Sequence, residues 1–305
     1  MASYDWQQFE VVFQAKPDYS PDQKQADAAL KHRKEFGGKL FFDRIWSTLN
    51  LQKATKAYPP RSNNELKELW KRIVDAKSSD EQKLALLYYI IRDCRNITLE
   101  KTFLQKTYLP EKYQLLVTGL WELDHCQFPR ALDCLTDPTL IPPTFPDDVL
   151  MVLLRHPKAT PSQAMAYYVT VQPPLQDETV LIAYFDLLVR TSVSEAYDFA
   201  RQSSQHKRLF ESLVTSIHEA EPGDARAAGA VQLIGMPFTE DEERWFEECL
   251  LQGSASKCNG AKDSILMRRL ATGRLQSDST PQLARYKGNK TNGANWDDIR
   301  TIVNG

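Results

Sequence analysis

From about residue 20 to about residue 252, apolar residues recur at three- and four-residue spacing along the chain. Leu40, Phe41, Ile45, Trp46 and Leu49 form one stripe, and Leu66, Leu69, Trp70, Ile73 and Val74 form another. That period belongs to amphipathic helices, not to strands. Helix start and stop signals bracket the stripes. Pro21-Asp22 opens an Ala- and Lys-rich run to Phe36, which Gly37-Gly38 breaks. After Pro59-Pro60, Ser62 or Asn63 is placed to cap the second stripe, and Ser78-Ser79-Asp80 precedes the run EQKLALLYYIIRDC. This run is apolar around most of its circumference, which predicts a central helix covered on two sides.

The same grammar predicts helices from Pro110 to about 125 and from Pro129 to about 136. Others follow at about 147–155, from Pro161 to Val171, and at about 177–190, 193–204, 206–219, 224–233 and 239–251. No run alternates Val, Ile or Thr as a strand would. The expected fold is all-α, a solenoid-like array of helical hairpins with a flexible C-terminal tail. Past Gly253 the chain turns small and polar, with SILMRRLATGRL predicting one further helix, and from Lys262 onward Lys and Arg outnumber Asp. Three parts are therefore expected: an N-terminal helical segment (1–37), a helical domain (38–252) and a mildly basic tail (253–305). The tail ends in NWDDIRTIVNG, where Trp296, Ile299, Ile302 and Val303 share one face of a short helix. An apolar face with no core of its own to join reads either as a frayed tail or as a partner-docking motif.

Composition narrows the classes. A chain of 305 residues can bury a substantial core, and a net charge of -2 attracts neither nucleic acid nor an anionic membrane globally. The N-terminus MASYDWQQFEVVF does not read as a secretory signal. The longest apolar run, Leu84 to Ile91, is far short of the roughly 20 residues of a membrane span. Five cysteines without a CxxC pair read as reduced thiols of the cytosol or nucleus.

The stretch WELDHCQFPRALDCL looks reactive, with Asp124, His125 and Cys126 adjacent and Cys134 following. Successive helical residues step by about 100°, so three neighbours on a helix do not converge on one ion. A helical hairpin accounts for more letters. Gly119 lets two helices approach, Leu116, Leu120 and Leu123 fall on one stripe with Tyr113 at its edge, the turn falls around Asp124 to Phe128, Pro129 suits a first turn, and small Ala131 sits at the crossing. The Gly…Phe-x-x-Ala spacing resembles half of a tetratricopeptide-type hairpin, with a looser echo at SVSEAYDFARQ around Ala196. The acidic run TEDEERWFEEC (239–249) reads as a helix start capped by Thr239. Arg268-Arg269 reads as an exposed helix end. No phosphate loop, GxSxG or HExxH is present. The rivals are a metal-dependent or Cys/His enzyme built on 124–134, and a weak nucleic-acid binder using the basic tail.

Several long strings together resemble the ELYS-like domain of the nuclear pore assembly protein family. They are KAYPPRSNNELKELWKRIVDAKSSDEQKLALLYYIIRDC (56–94), LLVTGLWELDHCQFPRALDCLTDPTLIPPTFPDDVLMVLL (115–154), AYYVTVQPPL (166–175) and SVSEAYDFARQ (192–202). The likeness covers roughly residues 38 to 252. It implies a helical nucleoporin of the outer ring, bound to β-propeller and α-solenoid subunits of the Y-shaped complex, at the nuclear pore of the nuclear envelope. It implies no catalytic residue, no cofactor, no metal, no small-molecule substrate and no membrane insertion. The long animal members add a β-propeller and DNA-binding AT-hooks. No R-G-R-P core occurs here, which puts direct chromatin binding in doubt and matches the short fungal-type members.

Overall fold

The computed structural model describes residues 4–13, 23–140, 143–275, 281–290 and 294–304. Among them every regular element is helical, in agreement with the expected all-α fold. The chain divides into two compact units, Met1–Val180 and Leu181–Gly305. These bounds differ from the three parts expected from sequence.

The first unit holds α1 (Phe9–Phe13), α2 (Gln23–Glu35), α3 (Phe41–Thr48), α4 (Ala54–Ala57), α5 (Asn63–Val74), α6 (Asp80–Asp93), α7 (Ile97–Thr107), α8 (Glu111–Asp124), α9 (Phe128–Leu135), α10 (Pro146–Arg155) and α11 (Pro161–Val171). Caps fix the starts. The Ser62 hydroxyl accepts the Glu65 N–H at 3.2 Å, and the Ser79 hydroxyl accepts the Gln82 N–H at 3.4 Å. At Thr160 the box is reciprocal, with the Gln163 side chain reaching back to the Thr160 N–H at 2.9 Å. Helix α6 is the central one: every residue from Leu84 to Ile91 is buried, and it packs on α3, α5, α7 and α8.

Phe42 stacks on Tyr58 with ring centroids 3.9 Å apart, and Tyr89 meets both rings edge-on. Beside this aromatic core the buried Arg33 guanidinium grips Asp43 through Nε at 2.8 Å and Nη2 at 2.9 Å. This pair ties α2 to α3. With its packing on α8, it makes α2 part of the unit rather than a separate N-terminal segment.

In this unit α1, α4 and α7 were not anticipated by the sequence pattern. In α7 only Leu99 and Phe103 are buried; its start is set by Asn96, whose side chain accepts the Leu99 N–H at 3.1 Å. In α1 the buried Phe9 meets Trp70 of α5 edge-on at 5.6 Å. The stretch TVQPPL lies across α10, where the Asp147 carboxylate accepts the N–H groups of Leu175 at 3.2 Å and Gln176 at 2.9 Å.

The second unit begins within α12 (Glu178–Thr191) and continues through α13 (Val193–Gln202), α14 (His206–Glu219), α15 (Asp224–Gly235), α16 (Glu240–Leu251), α17 (Ala261–Ala271), α18 (Pro281–Ala284) and α19 (Trp296–Asn304). Helix α14 is its hub, packed on α13, α15 and α16, while α17 lies against α15 and α16. Residues 261–271 form the further helix expected over SILMRRLATGRL, and it is part of this unit's body. The reason is burial: Ala261, Ile265 and Leu266 are each at most 2% exposed.

Candidate functional site

In the hairpin of α8 and α9, a Cβ added at Gly119 would lie 2.5 Å from Leu135 Cγ, so only glycine allows this approach. Of the expected stripe Leu120 and Leu123 are buried and Leu116 is half-buried; Phe128 and Ala131 are buried in the crossing, and Ala196 is fully buried on α13. Asp124, His125 and Cys126 point three ways. The Asp124 carboxylate accepts the N–H groups of Phe41 at 2.8 Å and Phe42 at 2.9 Å, and the Tyr89 hydroxyl at 2.7 Å. Burial pushes this carboxyl up to about 7 against those hydrogen bonds. His125 stacks on Trp121 at 3.8 Å and donates Nδ1–H to the Trp121 carbonyl at 2.7 Å; desolvation lowers its pKa. Cys126 closes the turn in the left-handed region, at φ 56°.

A second carboxylate lies close by. Asp93 accepts the Tyr58 hydroxyl at 2.8 Å and the Trp121 indole N–H at 2.7 Å. Its side chain is only 8% exposed, and burial pushes it up to about 6. Both acids serve the packing of α3, α6 and α8.

Cys126, in contrast, has chemical company that its neighbours in sequence do not supply. Its Sγ lies 3.6 Å from Nε2 of the buried His156 at the end of α10, and the same nitrogen is 3.2 Å from a Glu35 carboxylate oxygen. A ring nitrogen of His32, a Glu35 oxygen and Cys126 Sγ all fall within 4.8 Å of one another. The protein therefore does gather a His–Glu–Cys group around the turn of WELDHCQFPRALDCL, from residues 32, 35, 126 and 156. Sequence spacing could not reveal it, because about 90 residues separate α2 from the turn. The arrangement is poor for nucleophilic catalysis. Nδ1 of His156 accepts the Lys158 N–H at 3.2 Å, so Nε2 carries the proton and has no lone pair to take one from the thiol. Burial pushes the Cys126 thiol up to about 11, further from the reactive thiolate.

The acidic run 240–248 is a helix start, as expected: the Thr239 hydroxyl accepts the Glu242 N–H at 3.3 Å and the Glu242 carboxylate accepts the Thr239 N–H at 2.7 Å. Glu242 is fully buried and also accepts the Tyr197 hydroxyl at 3.0 Å and His206 Nε2 at 2.9 Å. Burial alone would raise its pKa, but these donors and Arg201 hold it below the usual range. The exposed end expected for Arg268-Arg269 is corrected. Both are buried, Arg268 on Glu243 and Arg269 in a two-pronged bridge to Glu247 with both contacts at 2.7 Å. They join α17 to α16 because a buried guanidinium needs a carboxylate partner.

At the C-terminal helix, the premise that nothing in cis covers Trp296 is corrected too. Trp296 is 6% exposed and donates its indole N–H to Asp263 of α17 at 2.7 Å, where the Tyr286 hydroxyl holds the other oxygen at 2.8 Å. Ile299 is half-buried, whereas Ile302 is 77% and Val303 42% exposed. The four residues expected to dock together thus divide into an anchored end and an outward end. Elsewhere in this unit a surface groove of about 990 Å³ runs between α12 and α15, lined by residues such as Arg190, Val193, Ile217, Ala228 and Gln232. No helix among the described residues is long and apolar enough to cross a membrane.

Comparison with known proteins agrees with the fold. Residues 39–253, more than two thirds of the chain, match the family described as "ELYS: Nuclear pore complex assembly". Over 245 residues the chain is 23% identical to "Uncharacterized protein ely5" of Schizosaccharomyces pombe, covering 79% of each protein. It is 24% identical over 264 residues to "Protein ELYS" of Homo sapiens, covering 83% of this chain but only 11% of the human protein. The residues that organise the hairpin, the α6 core and the Asp147-held turn all lie inside the matched span. The chain belongs to the ELYS family of nuclear pore complex assembly proteins.

Proposed function

We propose that this chain is a structural, non-enzymatic subunit of the outer-ring, Y-shaped scaffold of the nuclear pore, binding β-propeller and α-solenoid nucleoporins through its helix surfaces. As a member of the ELYS family it acts in pore assembly and resides in the nucleus, at the pore. The observation that carries the reading is how its polar residues are used. The acids and arginines that look reactive in sequence are capping and bridging groups inside the fold, while large apolar side chains remain outside. Ile97 is 69%, Val231 64% and Ile302 77% exposed, which is unfavourable unless a partner covers them.

Partner contact is assigned to the outward end of α19, through Ile299, Ile302 and Val303, with Trp296 holding that helix in place. The test is co-purification of the full chain, and of its Ile302→Asp, Val303→Asp double variant, with outer-ring propeller and solenoid subunits. Loss of a partner from the variant supports the assignment; an unchanged set of partners sinks it. The nucleic-acid alternative weakens, because Arg268, Arg269 and Arg300 of the basic segment are engaged by carboxylates in cis.

A further inference from the structure

We propose that His32, Glu35 and Cys126 form a binding site for one divalent cation of the zinc class, clamping α2 to the turn between α8 and α9. The donor set is the one such ions prefer: an imidazole nitrogen, a thiolate and a carboxylate, with the fourth position open to water. His32 and Glu35 stand three apart on α2, so both project from one face. Cys126 is brought opposite them by the left-handed turn.

The surroundings are built as a metal site's outer shell is. His32 Nδ1 lies 2.8 Å from the Asp124 carbonyl oxygen. A carbonyl only accepts, so Nδ1 bears the proton and the lone pair sits on Nε2, the nitrogen available to a cation. The buried His156 offers its Nε2–H to both anionic donors, Cys126 Sγ at 3.6 Å and Glu35 at 3.2 Å. Its own tautomer is fixed by the Lys158 N–H, which makes His156 a supporting donor rather than a fourth ligand.

Ligand atoms around a tetrahedral zinc are about 3.3–3.6 Å apart, given bonds of about 2.0–2.3 Å. A His32 ring nitrogen, a Glu35 oxygen and Cys126 Sγ lie within 4.8 Å of one another, so the donors draw together by roughly 1 Å or more to hold the ion. Glu35 is exposed and leaves a loose pairing with Lys31 at 3.8 Å; Cys126 releases its thiol proton to solvent.

The test is zinc and cobalt binding by the full chain under reducing conditions. The expected result is one ion per chain, a rise in Tm on adding zinc, and a thiolate-to-cobalt charge-transfer band. His32→Gln and Cys126→Ser abolish the site and the band, whereas Cys258→Ser, in the other unit, leaves both intact. Because Cys126 is buried, the exposed Glu35→Gln is a safer variant for folding. It binds zinc roughly tenfold or more weaker, at least the scale of losing an outer-shell partner. No stoichiometric binding, or binding untouched by Glu35→Gln and Cys126→Ser, overturns the proposal.

Discussion

The Asp124 carboxylate sits on the amino end of α3 and accepts the Phe41 N–H at 2.8 Å, across 83 residues of sequence. With Phe42 and Tyr89 it satisfies three buried donors at once, so the end of α8 supplies the cap that α3 lacks at Leu40. Asp124→Ala leaves those donors unpaired in the core. A loss of about 3 kcal/mol is expected in urea unfolding, and a loss below about 0.5 kcal/mol contradicts this role.

Gly119 is the contact point of the α8–α9 hairpin, with Leu135 and Cys134 against it. Gly119→Ala forces Leu135 out of its place and is expected to cost about 1–3 kcal/mol despite alanine's better helix propensity. Gly235, at the end of α15, has nothing within 4 Å of an added Cβ. Gly235→Ala is the matched control and should be neutral or slightly stabilising. Equal effects at the two sites would refute the packing explanation.

Asp93 makes a signed prediction about pH. Its carboxyl is raised by burial from the ordinary 3.8 to about 6. Between those values the folded protein binds the proton that the unfolded chain has released. Stability therefore falls as pH rises through this window, by up to about 3 kcal/mol for a shift of this size. Asp124 has the same sign and extends the decline toward pH 7. Asp93→Asn removes one proton from the linkage, so its denaturation midpoint should fall less between about pH 4 and 6 than the wild type's. Parallel curves for the two proteins would count against the burial of Asp93.

Gly288 holds Trp296 in place. It has φ +64°, and an added Cβ would fall 2.8 Å from the indole and 3.0 Å from Asp263. Gly288→Ala should unseat Trp296 and release α19 without unfolding α12 to α17. The readouts are a red-shifted tryptophan emission and faster amide exchange confined to residues 294–304. If exchange there is unchanged, Trp296 is not the anchor.

Much of this protein was legible in its sequence because helices announce themselves locally. The stripes of α3 and α5, the hydroxyl caps at Ser62, Ser79 and Thr239, and the prolines that open α10 and α11 act over a few residues. So do Gly119 and Ala131, whose small size anticipates a close crossing. Helices α1, α4 and α18 escaped because four or five residues are too few to show a helical period, and α7 escaped with them.

What sequence could not determine is which distant groups satisfy each buried charge. That Asp124 caps α3, that Arg268 and Arg269 reach Glu243 and Glu247, and that Trp296 finds Asp263 depends on helices meeting after 20 or more residues of intervening chain. The same holds for Cys126. By sequence it stands beside Asp124 and His125, but the turn aims those two elsewhere and gives Cys126 the company of His32, Glu35 and His156. Helical periodicity is set by backbone geometry within one segment. Partners for buried polar groups are set by desolvation, which acts only once the segments pack together.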